Sequence, residues 1–376
     1  MHASPLIFNT NDTEDRGLNL CCCEYIDIDD QRSHILGCCC NCIELDLCVD
    51  RLLRCKGVSS RSVARVVAML QDRARVPWRG GARQLSLDSV VPVILLPVLC
   101  YIAAQGVWIS VIVFTSLPIF LTYIHYIIMR TSSQSKFFYV WTIMSVALIV
   151  TVFEVPVMAT LDIAPAEHKI FLVFTLLMVF CGVKTRLTAE QSHVKGDIKS
   201  DECDLECAVC HKSVLPRTFH CCICHTCIVK RDHHCAWLDC CIGESNYRWY
   251  MATLVTAVCQ LALCSNLILT TACHPFTLFA NIMLPDDCSD VYFDILYATI
   301  FVTALYSLEA TLLLLALLVH ECWLISLGVT GHEWRTLTVK VCCGLRSSRP
   351  YSKGFLRNWF HFFLGPRSKQ MSALTI

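Results

Sequence analysis

The sequence predicts an all-α polytopic membrane protein with six transmembrane helices and a small two-zinc, cysteine-rich cytosolic domain between helices 4 and 5. Three observations lead there. Apolar residues fill 55% of the 376 positions and charged residues only 16%, against about 25% charged in a soluble domain. The apolar residues gather in long unbroken runs. There are 28 cysteines, nine of them in 21–55 and ten in 203–241. Mean hydropathy is +0.53 and the 31 basic and 31 acidic side chains cancel. That composition excludes intrinsic disorder and argues against a nucleic-acid partner.

Residues 1–88 are polar, cysteine-rich and, over 51–83, basic. The first residues show no secretory pattern, and His2 stands where myristoylation needs glycine. From Ser89 to Met129 only His125 interrupts an uncharged run. A helix needs about 20 residues to cross the hydrocarbon, so the run divides into spans at about 89–105 and 107–129, with a turn near Gln105-Gly106. A third span covers about 137–158, broken near its end by Glu154 and Pro156, and a fourth about 170–185. The fifth and sixth cover about 249–272 and 292–320. The resulting domains are a cytosolic N-terminal region at 1–88, helices 1–4 at 89–185, a cysteine-rich domain at 186–248, helices 5–6 at 249–320, and a cytosolic tail at 321–376.

Six spans put both termini, 130–136 and 186–248 on one side of the bilayer. Arg73, Arg75, Arg79, Arg83, Arg130, Lys136, Lys184, Arg186 and Arg335 fall on that side, and the opposite loops at 105–106, 159–168 and 273–291 hold no Lys or Arg. The positive-inside rule makes the basic side cytosolic. Reducing cytosol favours metal over disulfides for both cysteine clusters, whereas Cys273 and Cys288 would face the lumen, where they can pair.

The middle segment carries Cys207, Cys210, His220, Cys221, Cys224, Cys227, then Asp232-His233-His234-Cys235 and Cys241. Structural zinc takes four thiolate or imidazole ligands, and each Cys-x2-Cys offers two from one turn. Spacing permits a sequential grouping of Cys207, Cys210, His220 and Cys221. It equally permits an interleaved one: Cys207, Cys210, His220 and Cys227 for one ion, Cys221, Cys224, His234 and Cys241 for the other. Cys235 is left over. A thiol beside imidazoles, with a carboxylate three residues back, has the parts of an activated nucleophile, with Asp232 orienting His233. The bland alternative makes Cys235 a spare ligand.

From Cys207 to Asn246 the run Cys-x2-Cys, Pro-Arg-x2-His-Cys-x2-Cys-x2-Cys, Asp-His-His-Cys-x-Trp, Cys-x-Gly-x2-Asn resembles the cysteine-rich domain of the DHHC protein S-acyltransferases. Thr330-Gly331-His332-Glu333 is similar to that family's TTxE motif, and the stretch at 354–360, with Asn358 and Trp359, to its C-terminal Asn-aromatic motif. The CCCEYID segment at 21–27 and CVDRLLRCK at 48–56 resemble a six-span subgroup. The resemblance implies the interleaved zinc sites and Cys235 as acyl carrier, with His233 and Asp232 activating it. It implies two structural zinc ions, a palmitoyl-CoA or other long-chain acyl-CoA donor, and membrane-associated proteins with cytosolic cysteines as acceptors. The implied enzyme is a protein-cysteine S-palmitoyltransferase; a catalytically weak zinc-containing scaffold is the rival. The expected address is the endomembrane system, Golgi or endoplasmic reticulum. Departures from the family pattern are Leu215 for a proline, Asp239-Cys240 for Asn-Asn, Gly331 for the second threonine and Tyr250 for a phenylalanine.

Arg217, Lys230, Arg231 and Arg248 are candidates for the donor's phosphates, or ordinary surface charge. Glu154 reads as interfacial, while Glu309 lies deep enough to bridge helices or mark an ion path, the main support for a transporter. The cysteines at 21–55 read as acylation anchors or metal ligands. Leu374-Thr375-Ile376 could add a strand to a PDZ domain.

Overall fold

A computed structural model of the chain describes residues 21–27, 30–35, 49–51, 53–54, 68–69, 72–79, 81–131, 135–194, 205–277, 283–342 and 351–365. The C-terminal tripeptide and Cys38, Cys39, Cys40, Cys42, Cys48 and Cys55 lie outside them. Contacts divide the chain into two compact units, residues 1–95 with 121–140, and residues 96–120 with 141–376.

In the first unit, β1 (Glu24–Ile26) pairs antiparallel with β2 (Arg32–His34), and β3 (Arg75–Val76) with β4 (Arg83–Gln84). The amides of Ala82 and Trp78 donate to the carbonyls of Glu24 and Cys22, at 2.7 and 3.0 Å. The Arg75 guanidinium stacks 4.1 Å over the Tyr25 ring. Cys21 and Cys22 are exposed.

The apolar runs form helices α1 (Leu87–Ala103), α2 (Val107–Thr131), α3 (Phe137–Val152), α4 (Pro165–Leu187), α5 (Tyr247–Ala272) and α6 (Ile295–Leu327). Among the described residues, five apolar segments are long enough to cross a membrane: those of α2 to α6. Helix α1 has 17 residues, about 25 Å at 1.5 Å per residue, short of a hydrocarbon layer of about 30 Å. The predicted turn falls at Gln105-Gly106, closed by the Ser110 hydroxyl donating to the Ala103 carbonyl at 2.7 Å.

Three boundaries move. Helix α3 does not break at Pro156; it widens into a π-turn over Phe153–Val157, which accommodates the missing proline N–H, and Glu154 pairs with His168 at 3.0 Å. Helix α4 begins at Pro165 rather than 170, because proline suits a first helical position; exposed Lys169 therefore lies near the end of α4 opposite the cysteine-rich domain. Helix α6 continues past 320 to Leu327 and stops only at Gly328, left-handed with φ 71°. Its 33 residues span about 50 Å, longer than a hydrocarbon layer of about 30 Å.

Within the second unit α5 packs against both α4 and α6. Trp141 and Ser145 of α3 bond the Tyr306 hydroxyl of α6 at 3.0 and 2.7 Å. Glu309 is half-buried in α6, and its Oε2 has no hydrogen-bond partner. At the opposite end from the cysteine-rich domain, β11 (His274–Thr277) pairs with β12 (Met283–Asp287), and Cys273 and Cys288 form a disulfide with an S–S distance of 2.07 Å.

Candidate active site and metal centres

The cysteine-rich segment folds as three two-stranded hairpins: β5 (Leu205–Glu206) with β6 (Ser213–Val214), β7 (Phe219–Cys221) with β8 (Thr226–Ile228), and β9 (His233–Cys235) with β10 (Cys240–Ile242). The Cys-x2-Cys pairs Cys207–Cys210 and Cys221–Cys224 are each followed by a left-handed histidine, His211 at φ 53° and His225 at φ 52°. That turn folds the two thiols back together.

Side chains alternate faces along a strand, and directly paired residues share a face. His220 and Cys221 are neighbours on β7, so they cannot serve one ion; His220 pairs with Cys227 instead. On the third hairpin His234 pairs with Cys241, while the flanking pairs His233–Ile242 and Cys235–Cys240 face the other way. The result is two clusters, Cys207, Cys210, His220 and Cys227, and Cys221, Cys224, His234 and Cys241, with the ligand atoms of each within 4.8 Å of one another. In the second, Cys224 Sγ lies 3.4 Å from Cys241 Sγ and 3.4 Å from His234 Nδ1, and Cys241 Sγ 3.6 Å from that nitrogen. In the first, Cys227 Sγ is 3.4 Å from Cys210 Sγ and 3.7 Å from His220 Nδ1. A tetrahedral zinc with bonds of 2.0 to 2.3 Å has ligand-to-ligand edges of about 3.5–3.8 Å, so both donor sets fit it. Within the second cluster, hydrogen bonds from Cys224 and Cys241 pull the Cys221 thiol far down, while Cys221 pushes its two neighbours up. Cys222 and Cys240 stay outside both clusters.

On the other face of β9 stands the tetrad's remainder. Asp232 is 3% exposed and its Oδ2 accepts from His233 Nδ1 at 2.8 Å, which fixes the proton on that nitrogen. Burial works to lower the His233 pKa, but hydrogen bonds with Asp232 and Cys235 outweigh it and raise it to about 10. The Cys235 thiol is buried among Cys240, Ile242, Tyr250, Met251, Leu254 and Ile325. Leu314, Leu317, Leu318 and Cys322 of α6 continue that apolar lining away from the thiol.

Helix ends hold this hairpin. Asn246, fully buried, donates to the Thr185 and Cys241 carbonyls at 3.0 and 2.9 Å and accepts from Gly243 N at 2.9 Å. Asp239, left-handed at φ 51° as its loop requires, pairs with Arg186 at 3.1 Å.

The tail closes over the site. Helix α7 (Gly331–Cys342) opens with a capping box, Thr330 N donating to Glu333 Oε2 at 2.8 Å and Glu333 N to Thr330 Oγ1 at 3.3 Å. Glu333 also grips Arg217 of the cysteine-rich domain through two bonds of 2.6 Å. Gly331 N donates to Asp232 Oδ1 at 2.5 Å, and Arg335 to the Asp232 carbonyl at 3.2 Å. A Cβ at 331 would sit 2.8 Å from Asp232 Oδ2, which explains glycine where a threonine was expected. Gly331→Ala is thus expected to displace Asp232 and slow acyl transfer roughly 10- to 100-fold with metal content unchanged; a wild-type rate in a radiolabel assay would refute this. In helix α8 (Phe355–Leu364), Asn358 donates to the Ser326 carbonyl at 2.9 Å and Trp359 to Ser326 Oγ at 3.1 Å, docking α8 on the end of α6.

Sequence reasoning missed Glu321. It is 2% exposed on α6, accepts from Tyr247 Oη at 2.9 Å, and lies within 4.8 Å of Asp232 and His233. Its signal was helical spacing: Leu314, Leu317, Leu318, Glu321 and Ile325 share one face of α6. The four basic candidates all have partners inside the fold. Arg217 holds Glu333, Lys230 pairs with Glu244 at 2.5 Å, and Arg248 donates to the Phe362 and Gly365 carbonyls at 2.6 and 2.7 Å. Arg231 donates to His332 Nδ1 at 3.2 Å, an imidazole kept neutral by burial and by Arg231 and Arg335. Arg217, Lys230, Arg248 and Lys353 nevertheless border a cavity of about 530 Å³ beneath α8.

Two zinc-fitting clusters thus lie beside a separate buried thiol at the end of a set of apolar helices. The family model for DHHC palmitoyltransferase matches residues 201–337. The chain is 29% identical over 412 residues to Palmitoyltransferase ZDHHC23 of Rattus norvegicus, covering 94% of this chain and 95% of that one. It is 30% identical over 397 residues to Palmitoyltransferase ZDHHC23-B of Danio rerio, covering 91% and 92%. The protein belongs to the DHHC palmitoyltransferase family, and its activity is protein S-palmitoyl transfer.

Proposed function

We propose that Cys235 is the acyl carrier, His233 its acid and base, and Asp232 the group that orients His233. The observation that carries this reading is the alternation along β9: Cys235 and His233 face away from the paired residues His234 and Cys241, so the nucleophile is free of metal. Cys207, Cys210, His220 and Cys227 hold one zinc ion, and Cys221, Cys224, His234 and Cys241 the other. Each ion has four protein ligands, so what it supplies is structural closure rather than an open reactive position.

The donor is palmitoyl-CoA or another long-chain acyl-CoA. Its phosphates suit the cation-bordered cavity under α8, and its chain suits the apolar face of α5 and α6 beside Cys235. The Cys235 sulfur attacks the thioester carbonyl; a new carbon–sulfur bond forms, the bond to CoA breaks, and His233 returns a proton to the leaving thiolate. His233 then takes the proton of an acceptor thiol, which attacks acyl-Cys235 and releases it as thiolate. Acceptors are membrane-associated proteins with cytosolic cysteines.

The same reading has six spans, with α1 as the short first one, and both termini and the zinc domain cytosolic. Cys273–Cys288 on the opposite side suits an oxidising lumen, and hence an endomembrane address, Golgi or endoplasmic reticulum. The boundaries near 88, 185 and 248 mark the N-terminal region, helices 1–4 and the zinc domain, and helices 5–6 run on to Leu327 before the tail. A PDZ partner at Leu374-Thr375-Ile376 remains part of the proposal on sequence alone.

Incubation with radiolabelled palmitoyl-CoA tests the reading. Wild-type protein should acquire hydroxylamine-labile label, and Cys235→Ser with intact metal content should acquire none. Label persisting in that variant would overturn the assignment.

A further inference from the structure

Tyr250 sits in the first turns of α5, 2% exposed, and its hydroxyl has no hydrogen-bond partner. A buried hydroxyl without a partner destabilises the folded state, so such groups are rare and tend to mark function. Its surroundings are the reacting ones. The Tyr250 ring meets the His233 ring edge to face at 5.4 Å, and Tyr250 shares a buried cluster with Cys235. His233 and Cys235 lie on one face of β9, so a single aromatic side chain borders both.

Neighbouring polar groups are already committed to one another. The Tyr247 hydroxyl donates to Glu321, and Asp232 accepts from both His233 and Gly331. The Tyr250 hydroxyl is left with a proton to donate beside the nucleophile. When the Cys235 sulfur bonds to the thioester carbonyl carbon, the carbonyl π pair moves onto oxygen, and that new negative charge needs a donor in a site where water is scarce. We infer that Tyr250 donates a hydrogen bond to this oxyanion in the tetrahedral intermediate. Collapse then restores the C=O bond, expels the leaving thiolate and returns the hydroxyl to its unpaired state. The inference rests on Cys235 being the acyl carrier.

Tyr250→Phe removes one oxygen and no ring volume. A merely structural tyrosine with an unpaired hydroxyl would be replaced by phenylalanine without loss of rate. As a catalytic donor, it should give a variant with unchanged metal content, a melting temperature no lower than wild type, and Cys235 alkylation by iodoacetamide at the wild-type rate. Acyl-enzyme formation under saturating palmitoyl-CoA should fall roughly 100-fold, the cost of one oxyanion donor, with the change in kcat rather than KM. An unchanged acylation rate would refute the inference and leave the proposed function standing. An equal slowing of alkylation would also refute it, since the hydroxyl would then act on the thiolate. Label surviving in Cys235→Ser would remove both.

Discussion

Stripping the metal with a chelator, or replacing His234 by alanine, should unfold residues 205–246 and abolish acyl-enzyme formation altogether. The reason lies in how little else holds this segment. Its hairpins have strands of two or three residues, and its two cores outside the active site consist of Val194, Val214, Cys227 and Val229, and of Cys221, Ile228 and Cys241. Cysteines are among those few core residues, so the apolar contacts themselves depend on ligation. A structural zinc ion contributes about 10–16 kcal/mol of apparent binding energy at neutral pH, more than the total stability of most domains. Loss of metal also releases α7, because Arg217 can no longer meet Glu333. Mass spectrometry of the native protein should find two zinc ions per chain, and hydrogen exchange should show loss of protection over 205–246 on chelation. Protection surviving with one ion or none would refute the ligand sets.

Asp232→Asn should slow acyl-enzyme formation about 10³-fold or more while the metal stays bound. Asp232 receives two donors, His233 Nδ1 and Gly331 N, one on each carboxylate oxygen. An asparagine offers only one accepting oxygen; its NH2 must face one of those N–H groups. Satisfying Gly331 leaves His233 in the wrong tautomer, unable to present a basic Nε2, the same consequence that a triad carboxylate-to-amide change has elsewhere. Satisfying His233 lifts the start of α7. Single-turnover labelling with zinc analysis separates these effects from unfolding; a rate within tenfold of wild type would refute the orienting role.

The apolar runs were legible because membrane spans need little more than length and hydrophobicity. Their ends were not, because capping and breaking decide them: Pro165 starts α4 and Gly328 stops α6, regardless of where polarity changes. Placing 321–376 in the tail hid Glu321 from sight. The residues of both metal clusters were visible in the spacing, but their grouping was not, since spacing carries no record of strand pairing. Once β7 pairs with β8 and β9 with β10, alternation of faces leaves one grouping. The departures from the family pattern found their reasons only in three dimensions: Arg186 answers Asp239, and Gly331 makes room for Asp232. Tyr250, which reads as a conservative exchange, turned out to carry an orphaned hydroxyl.

The two-faced third hairpin makes this enzyme far more sensitive to changes of chain length than of composition. One extra codon between His234 and Cys235 would flip everything after it to the opposite face, turning the Cys235 thiol toward the second cysteine cluster and away from His233. Sequence drift here should therefore proceed by exchange of side chains, never by insertion or deletion.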